Sequence, residues 1–285
     1  MLKQRLLYGT LMTVVFTGLV VADGWFDGST TASPEDDKAV QGTVVAILTA
    51  VVLALGCWEL GALARAREFV IWNPVAALGA ALLATAWFWP QFLPVDRALY
   101  LLFVGAAALA GIVLQQYVRR GTEGMLANCG VSCFAMVYLG LLGAFVPAIR
   151  IDAGLWGLLA TIVAVKFSDI GAYTLGKALG RHKLAPRISP GKTWEGLAGA
   201  VVAAMVVTSA FAAAFGIMSL WLAPVFGVCI AVIGQLSDLV ESMLKRDAGQ
   251  KDSSNRVPGF GGILDVIDSP LFAAPFAYAF FRLLA

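Results

Sequence analysis

Nine stretches of about twenty mostly apolar residues run through this chain, a length matched to the hydrocarbon core of a bilayer. They lie near 5–22, 43–63, 74–93, 98–117, 127–147, 154–176, 195–216, 220–244 and 266–284. Together they take up most of the 285 residues, so no soluble domain fits between them. Only 13% of the residues are charged, about half of the usual quarter. That is too little for the polar skin of a soluble domain. With 60% hydrophobic residues the chain is also too apolar to be disordered. Porin-like alternation is absent and an open strand edge cannot face lipid, so the segments read as helices. The expected fold is an all-α polytopic integral membrane protein of about nine spans. An N-terminal bundle over 1–150 (about five spans) is expected to precede a second transmembrane region over 151–285. Lys3 and Arg5 before the first apolar run resemble the start of a signal peptide, but Val20-Val21-Ala22 makes a poor cleavage pattern, and an uncleaved anchor is expected.

Nine alternating spans put Lys38, Arg97, Arg150 and Arg282 on one side. Lys166 falls within a span, which leaves fifteen of the 20 basic residues on the other side. The positive-inside rule then places the N-terminus in the cytoplasm and the C-terminus outside the cell (inner) membrane. The loop at 23–39, with Asp23, Asp27, Glu35, Asp36 and Asp37, falls on the outer side. Cys57, Cys129, Cys133 and Cys229 all lie in spans without a CxxC pair or a nearby His, and read as small packing residues. Glu59 is the exception in the polar-poor first four spans. It reads as a structural group because no second carboxylate accompanies it in the sequence.

Chemistry concentrates in two inner-side loops, 177–194 (KALGRHKLAPRISPGKTW) and 245–265 (KRDAGQKDSSNRVPGFGGILD), which hold nine of the fifteen basic residues. Acidic groups at membrane depth flank them: Asp169 before the first, Asp238 and Glu241 before the second, Asp265 and Asp268 after it. Charge at the centre of a spanning helix costs roughly 2.5 kcal/mol or more, which makes such groups functional candidates. Asp265 and Asp268, three apart, share a helix face. Either a divalent ion such as Mg²⁺ or Mn²⁺ relieves their repulsion, with Asp238 as a third ligand, or the pair caps the N-terminal dipole of the last span. Lys245, Arg246, Lys251 and Arg256 are phosphate-pairing residues. Gly259, Gly261 and Gly262 let backbone approach a ligand closely, which points to phosphate chemistry. Gly191-Lys192-Thr193 is not a Walker A motif, because position 186 is Pro and no strand is expected before it. His182, the only histidine, reads as a solvated or headgroup-facing residue, and a single His builds no zinc or Ser-His-Asp site.

These residues carry a resemblance. Ser242, Lys245-Arg246, Lys251-Asp252, Pro258-Gly259-Phe260-Gly261-Gly262, Asp265 and Asp268 resemble the signature S-x-x-K-R-x4-K-D … P-G-H-G-G-x-x-D-R-x-D of phosphatidate cytidylyltransferases. Asp169-Ile170-Gly171-Ala172-Tyr173, Gly176, Gly180, Ile188-Ser189-Pro190, Lys192-Thr193 and Glu195-Gly196 resemble a second segment of that family. The resemblance spans about 166–269. Phe260 stands where the signature commonly has His and Val266 where it has Arg, so neither a His base nor an Arg clamp is implied at those positions. The resemblance implies CTP and phosphatidic acid as substrates, CDP-diacylglycerol and pyrophosphate as products, and a role in phospholipid biosynthesis. It further implies Mg²⁺ (one or two divalent ions, with a monovalent ion also allowed) on Asp238, Asp265 and Asp268, which with Lys245 form the catalytic set. Asp169, Ser189, Lys192, Ser242, Arg246, Lys251, Asp252, Gly261 and Gly262 are then the substrate-binding residues. The expected partners are the two substrates and the bilayer, with a homodimer allowed and no nucleic acid. A CTP-dependent lipid-alcohol kinase, an ion- or proton-coupled transporter and a degenerate non-catalytic homologue are the alternatives.

Overall fold

The computed structural model describes residues 2–30, 37–250, 252–254 and 261–285, with the backbone alone for 2–10. Among the described residues there are ten α-helices: α1 (Leu2–Asp27), α2 (Thr43–Arg65), α3 (Asn73–Ala84), α4 (Arg97–Arg120), α5 (Met125–Gly143), α6 (Phe145–Asp152), α7 (Gly154–Leu179), α8 (Trp194–Phe215), α9 (Ala223–Asp247) and α10 (Leu264–Leu283). Between α7 and α8 stands a small antiparallel hairpin, β1 (Lys183–Ala185) and β2 (Ser189–Thr193). Among the described residues, seven helical stretches are long and apolar enough to cross a membrane, α5 and α6 counting as one. The protein is therefore an all-α multi-pass membrane protein.

The third apolar stretch departs from the expected single helix over 74–93. Pro74 opens α3 at a position where a missing N–H costs nothing, and the helix stops at Ala84. There the Thr85 hydroxyl turns back onto the carbonyls of Ala81 and Leu82. A short 3₁₀ turn at Trp89–Gln91 follows, built around Pro90. The aromatic run Trp87-Phe88-Trp89 keeps hydropathy high where the helix has already ended.

The chain packs as two compact units. The first comprises Met1–Ile151 and Ala248–Val266. Its core joins Trp72, Leu83, Val104, Ile112 and Met136. Beside it lies a buried polar network: Trp72 Nε1 donates to Gln116 Oε1 at 3.2 Å, and Trp72 N donates to Ser132 Oγ at 3.0 Å. Asp96 caps α4 by accepting from the N–H groups of Ala98 and Leu99.

Arg150, on α6 and fully buried, ties the ends of α1 and α2 together. Its Nε lies 2.8 Å from Asp23 Oδ2 and its Nη2 2.6 Å from Asp27 Oδ2. Asp23 also accepts from Val44 N at 2.6 Å, and Asp27 from Gly42 N at 3.1 Å, so both carboxylates serve the start of α2. These acids belong to helical, buried structure, whereas hydropathy alone places them in an outer loop.

The second unit comprises Asp152–Asp247 and Ile267–Ala285. Its helices meet through small residues. Ala200, Ala204 and Ala231 form a buried seam between α8 and α9. Gly171 and Gly199 bring α7 and α8 so close that a Cβ on either would collide with the other's carbonyl oxygen. Phe226 packs against Phe280 and Phe281, and Tyr278 Oη donates to Asp152 Oδ2 at 2.7 Å.

Candidate active site

In the second unit the polar residues of α7, β2, α9 and α10 face one another. The expected loop 177–194 is largely structured: α7 continues to Leu179, and β1 and β2 fold back so that Lys192 sits near the end of β2. β1 precedes Gly191-Lys192-Thr193, contrary to the expectation that no strand stands before it, and β2 carries the motif itself. Its lysine nevertheless turns to a carboxylate. Lys192 Nζ lies 2.7 Å from Asp238 Oδ2 and donates to the carbonyl of Gln235 at 3.0 Å. Thr193 caps α8, accepting from Gly196 N at 3.1 Å, which anchors the hairpin to the helix that follows. His182 is exposed, with Nδ1 2.7 Å from Glu195 Oε1.

On α9, Asp238, Glu241, Ser242 and Lys245 follow the i, i+3, i+4, i+7 spacing of one helix face. Asp238 Oδ1 accepts from Ser269 Oγ at 2.6 Å, so α10 holds one oxygen of this carboxylate while β2 holds the other. Asp268 is buried; its backbone carbonyl accepts from Ser237 Oγ at 2.7 Å. Lys245 Nζ donates to Glu241 Oε2 at 2.7 Å, both largely buried. Asp169 lies 3.9 Å from Lys166. The charges of Asp169, Asp238 and Asp268 act on one another electrostatically. Ser189 and Ser242 are half-buried and Arg246 is exposed. The unit thus gathers four carboxylates and three lysines into one polar cluster, which can hold phosphate groups and metal ions in proximity.

The first unit holds the other part of the signature. Asp265 Oδ2 accepts from Ser253 Oγ at 2.7 Å, Ser253 N at 3.1 Å and Gly262 N at 2.6 Å, so Asp265 organises the segment that enters α10. This is the contact expected of a first-turn acid. Glu59, on α2, joins the same cluster. Its Oε2 accepts from Leu264 N at 2.9 Å and Ser253 Oγ at 3.1 Å, and its Oε1 from Ser254 Oγ at 2.7 Å. In sequence Glu59 stands without a second carboxylate; in space Asp265 shares Ser253 with it. A Cβ at Gly262 would collide with Ser253 Oγ and Glu59 Oε2, which explains why glycine stands there. Gly261 adopts φ +108, a backbone suited to glycine, and Asp252 is exposed. Lys251, Arg256, Gly259 and Phe260 lie outside the described residues.

The Mg²⁺ that the resemblance implies asks for hard oxygen donors. Asp238 and Asp268 supply them, and the buried Oδ1 of Asp169 accepts no hydrogen bond. The donor chemistry fits. Among the described residues no three His, Cys, Asp or Glu side chains are grouped as a ready metal cage, and the cation that faces Asp238 is Lys192.

Residues 38–284 match the cytidylyltransferase family. The chain is 33% identical to the phosphatidate cytidylyltransferase of Bacillus subtilis, over 97% of this chain and 96% of that one. It is 32% identical to the phosphatidate cytidylyltransferase of Pseudomonas aeruginosa, over 96% of each chain. With the phosphatidate cytidylyltransferase of Haemophilus influenzae the identity is 42%, over 46% of this chain and 48% of that one.

Proposed function

This chain belongs to the cytidylyltransferase family, and on that premise we propose that it joins CTP to phosphatidic acid, forming CDP-diacylglycerol and pyrophosphate for phospholipid biosynthesis. A phosphate oxygen of the lipid attacks the α-phosphorus of CTP. The bond from that phosphorus to the bridging oxygen breaks, and pyrophosphate leaves with the electron pair. A phosphate monoester has a second pKa near about 6, so the nucleophile is already largely ionised at neutral pH. No protein base is needed, and Phe260 in place of His is compatible with turnover.

The difficulty is electrostatic, since one polyanion must approach another. Lys192, Lys245, Arg246 and Lys251 neutralise phosphate charge and orient the two groups in line. Ser189 and Ser242 donate hydrogen bonds to phosphate oxygens, while Asp169 and Asp252 orient neighbouring cations or the nucleoside. Gly261 and Gly262 would let backbone approach the substrate closely. Asp238 and Asp268 would hold Mg²⁺, and the signature adds Asp265. When bound, the ion polarises phosphoryl oxygens and stabilises the leaving pyrophosphate.

The observation that carries this reading is the Lys192–Asp238–Ser269 contact set. It ties Lys192 of one signature segment to Asp238 and Ser269, which flank the other, in one cluster of alternating charge. The finer topology belongs to the same proposal: nine spans, N-terminus in the cytoplasm, C-terminus outside, and the polar cluster opening to the cytoplasmic face of the cell membrane. There CTP arrives from water and the lipid phosphate from the inner leaflet. A homodimer is compatible with this reading, which does not depend on one. The test is pyrophosphate release by the purified protein in detergent with CTP, phosphatidic acid and Mg²⁺. Release that requires all three supports the reading, and no release from folded protein overturns it. Release of CDP on a lipid alcohol would point to the kinase, and ion flux into liposomes without nucleotide to the transporter.

A further inference from the structure

Glu59 belongs to neither signature segment, yet among the described residues it accepts three hydrogen bonds from the segment leading into α10, as many as Asp265 does. It lies on α2, a helix long and apolar enough to span a membrane, and is 1% exposed. A carboxylate in such a place is expensive unless its oxygens are satisfied. Among the described residues, the donors that satisfy them come from one segment. Ser253 Oγ, Ser254 Oγ and Leu264 N reach it at 3.1, 2.7 and 2.9 Å, across 194, 195 and 205 positions of sequence. Among the described residues the donors are neutral, so these contacts fix backbone and hydroxyl positions.

We propose that Glu59 is a positioning residue for the transfer reaction: it clamps Ser253, Ser254 and the start of α10, and through Ser253 sets the orientation of Asp265. The link to Asp265 is direct. Ser253 Oγ stands 2.7 Å from Asp265 Oδ2 and 3.1 Å from Glu59 Oε2. A serine hydroxyl carries one proton, so its donation goes to one carboxylate while its place is fixed by both. Leu264 N, held by Glu59, and Gly262 N, held by Asp265, stand two residues apart. The two acids thereby grip opposite ends of one short turn. The glycine at 262 follows from this grip, because a side chain there would strike Glu59 and Ser253. Buried partners that orient a functional carboxylate are worth about 10–100-fold when removed.

This inference rests on the reaction proposed above, and the experiment separates the two. Wild-type protein and the variants Glu59→Ala, Glu59→Gln and Ser254→Ala are purified in detergent. Pyrophosphate release is measured against Mg²⁺ concentration, and hydrogen exchange is followed in peptides carrying Ser253 and Leu264. Glu59→Ala is expected to lower kcat per folded molecule by about 10–100-fold and to raise the Mg²⁺ concentration needed for half-maximal rate. It should also speed exchange in those peptides while helices elsewhere exchange as in wild type. Glu59→Gln, which keeps an oxygen for Leu264 N, is expected to recover much of the loss. Ser254→Ala leaves α2 intact and is expected to shift exchange and rate in the same direction by less. A Glu59→Ala protein with wild-type exchange, or with wild-type rate and Mg²⁺ requirement, overturns the inference. Were Glu59→Ala not to fold, unchanged exchange and rate in Ser254→Ala would overturn it equally. An inactive wild-type protein would overturn the reaction instead, and the exchange result would still decide the clamp.

Discussion

Lys192 reaches from the end of β2 to Asp238 on α9, with Nζ 2.7 Å from Oδ2 across 46 positions of sequence. Lys192 belongs to one signature segment and Asp238 stands four residues before the other, and each satisfies the other's charge. Lys192→Ala is expected to lower kcat/KM by about 10²–10³-fold, taking as a guide the loss when one preorganised donor is removed from an acyl-transfer site. Lys192→Arg should recover part of it. Initial rates of pyrophosphate release at varied CTP measure both.

Asp268 is buried on α10 beside Ser269, which donates to Asp238. Asp268→Asn is expected to reduce turnover to background while the protein still inserts and unfolds at a temperature close to wild type. Ser269→Ala, which removes a supporting hydrogen bond and leaves the carboxylates, should cost about tenfold. Rates compared with the thermal unfolding midpoint in detergent separate a lost functional group from a lost fold.

Removal of divalent ions by a chelator is expected to abolish the reaction, and readdition of Mg²⁺ or Mn²⁺ to restore it. A polyamine, which supplies charge without hard ligation, should not. The assay is the same pyrophosphate release, run after chelation and dialysis. Recovery with polyamine alone would count against a metal on Asp238 and Asp268.

Arg150 predicts stability without activity. Its guanidinium has no exposed surface and contacts Asp23 and Asp27. Removing one side of a buried ion pair costs about 3–5 kcal/mol, because the remaining charges are left unpaired. Arg150→Met should therefore lower the unfolding midpoint strongly. The triple change Arg150→Met, Asp23→Asn, Asp27→Asn should recover a large part of the loss. Turnover per folded molecule should stay at wild type in both.

Gly171 and Gly199 predict a packing defect. Gly171→Ala places a methyl group against the carbonyl of Gly199, and overpacking of a tight core costs about 1–3 kcal/mol. The unfolding midpoint is expected to fall, with Gly171→Leu worse than Gly171→Ala. This assigns a glycine of the family-like Asp169–Tyr173 stretch to helix packing and not to substrate.

The parts of this protein that were legible in the sequence share a physical cause. Apolar run length is legible because bilayer thickness sets it. Asp169, Asp238 and Asp268 stand out because carboxylates in apolar helices are costly wherever they occur. The rest depends on information that no local window contains. Hydropathy counts Trp87, Phe88 and Trp89 as apolar whether or not they are helical, so the end of α3 at Ala84 was hidden. The hairpin at 183–193 is too short and too rich in Gly and Pro to alternate visibly. Glu59 looked solitary because its partners are serines and a backbone N–H about two hundred positions away, and hydroxyl donors leave no charge pattern to read. Asp23 and Asp27 looked like loop acids because their partner, Arg150, lies 123 positions beyond Asp27.

That last separation bears on biogenesis. In a chain threaded into the bilayer as the ribosome makes it, the acidic end of α1 emerges well before the arginine that neutralises it exists. These two carboxylates gain their arginine partner only once residue 150 has been made, 123 positions after Asp27, and a truncation just short of it is expected to leave them without that partner.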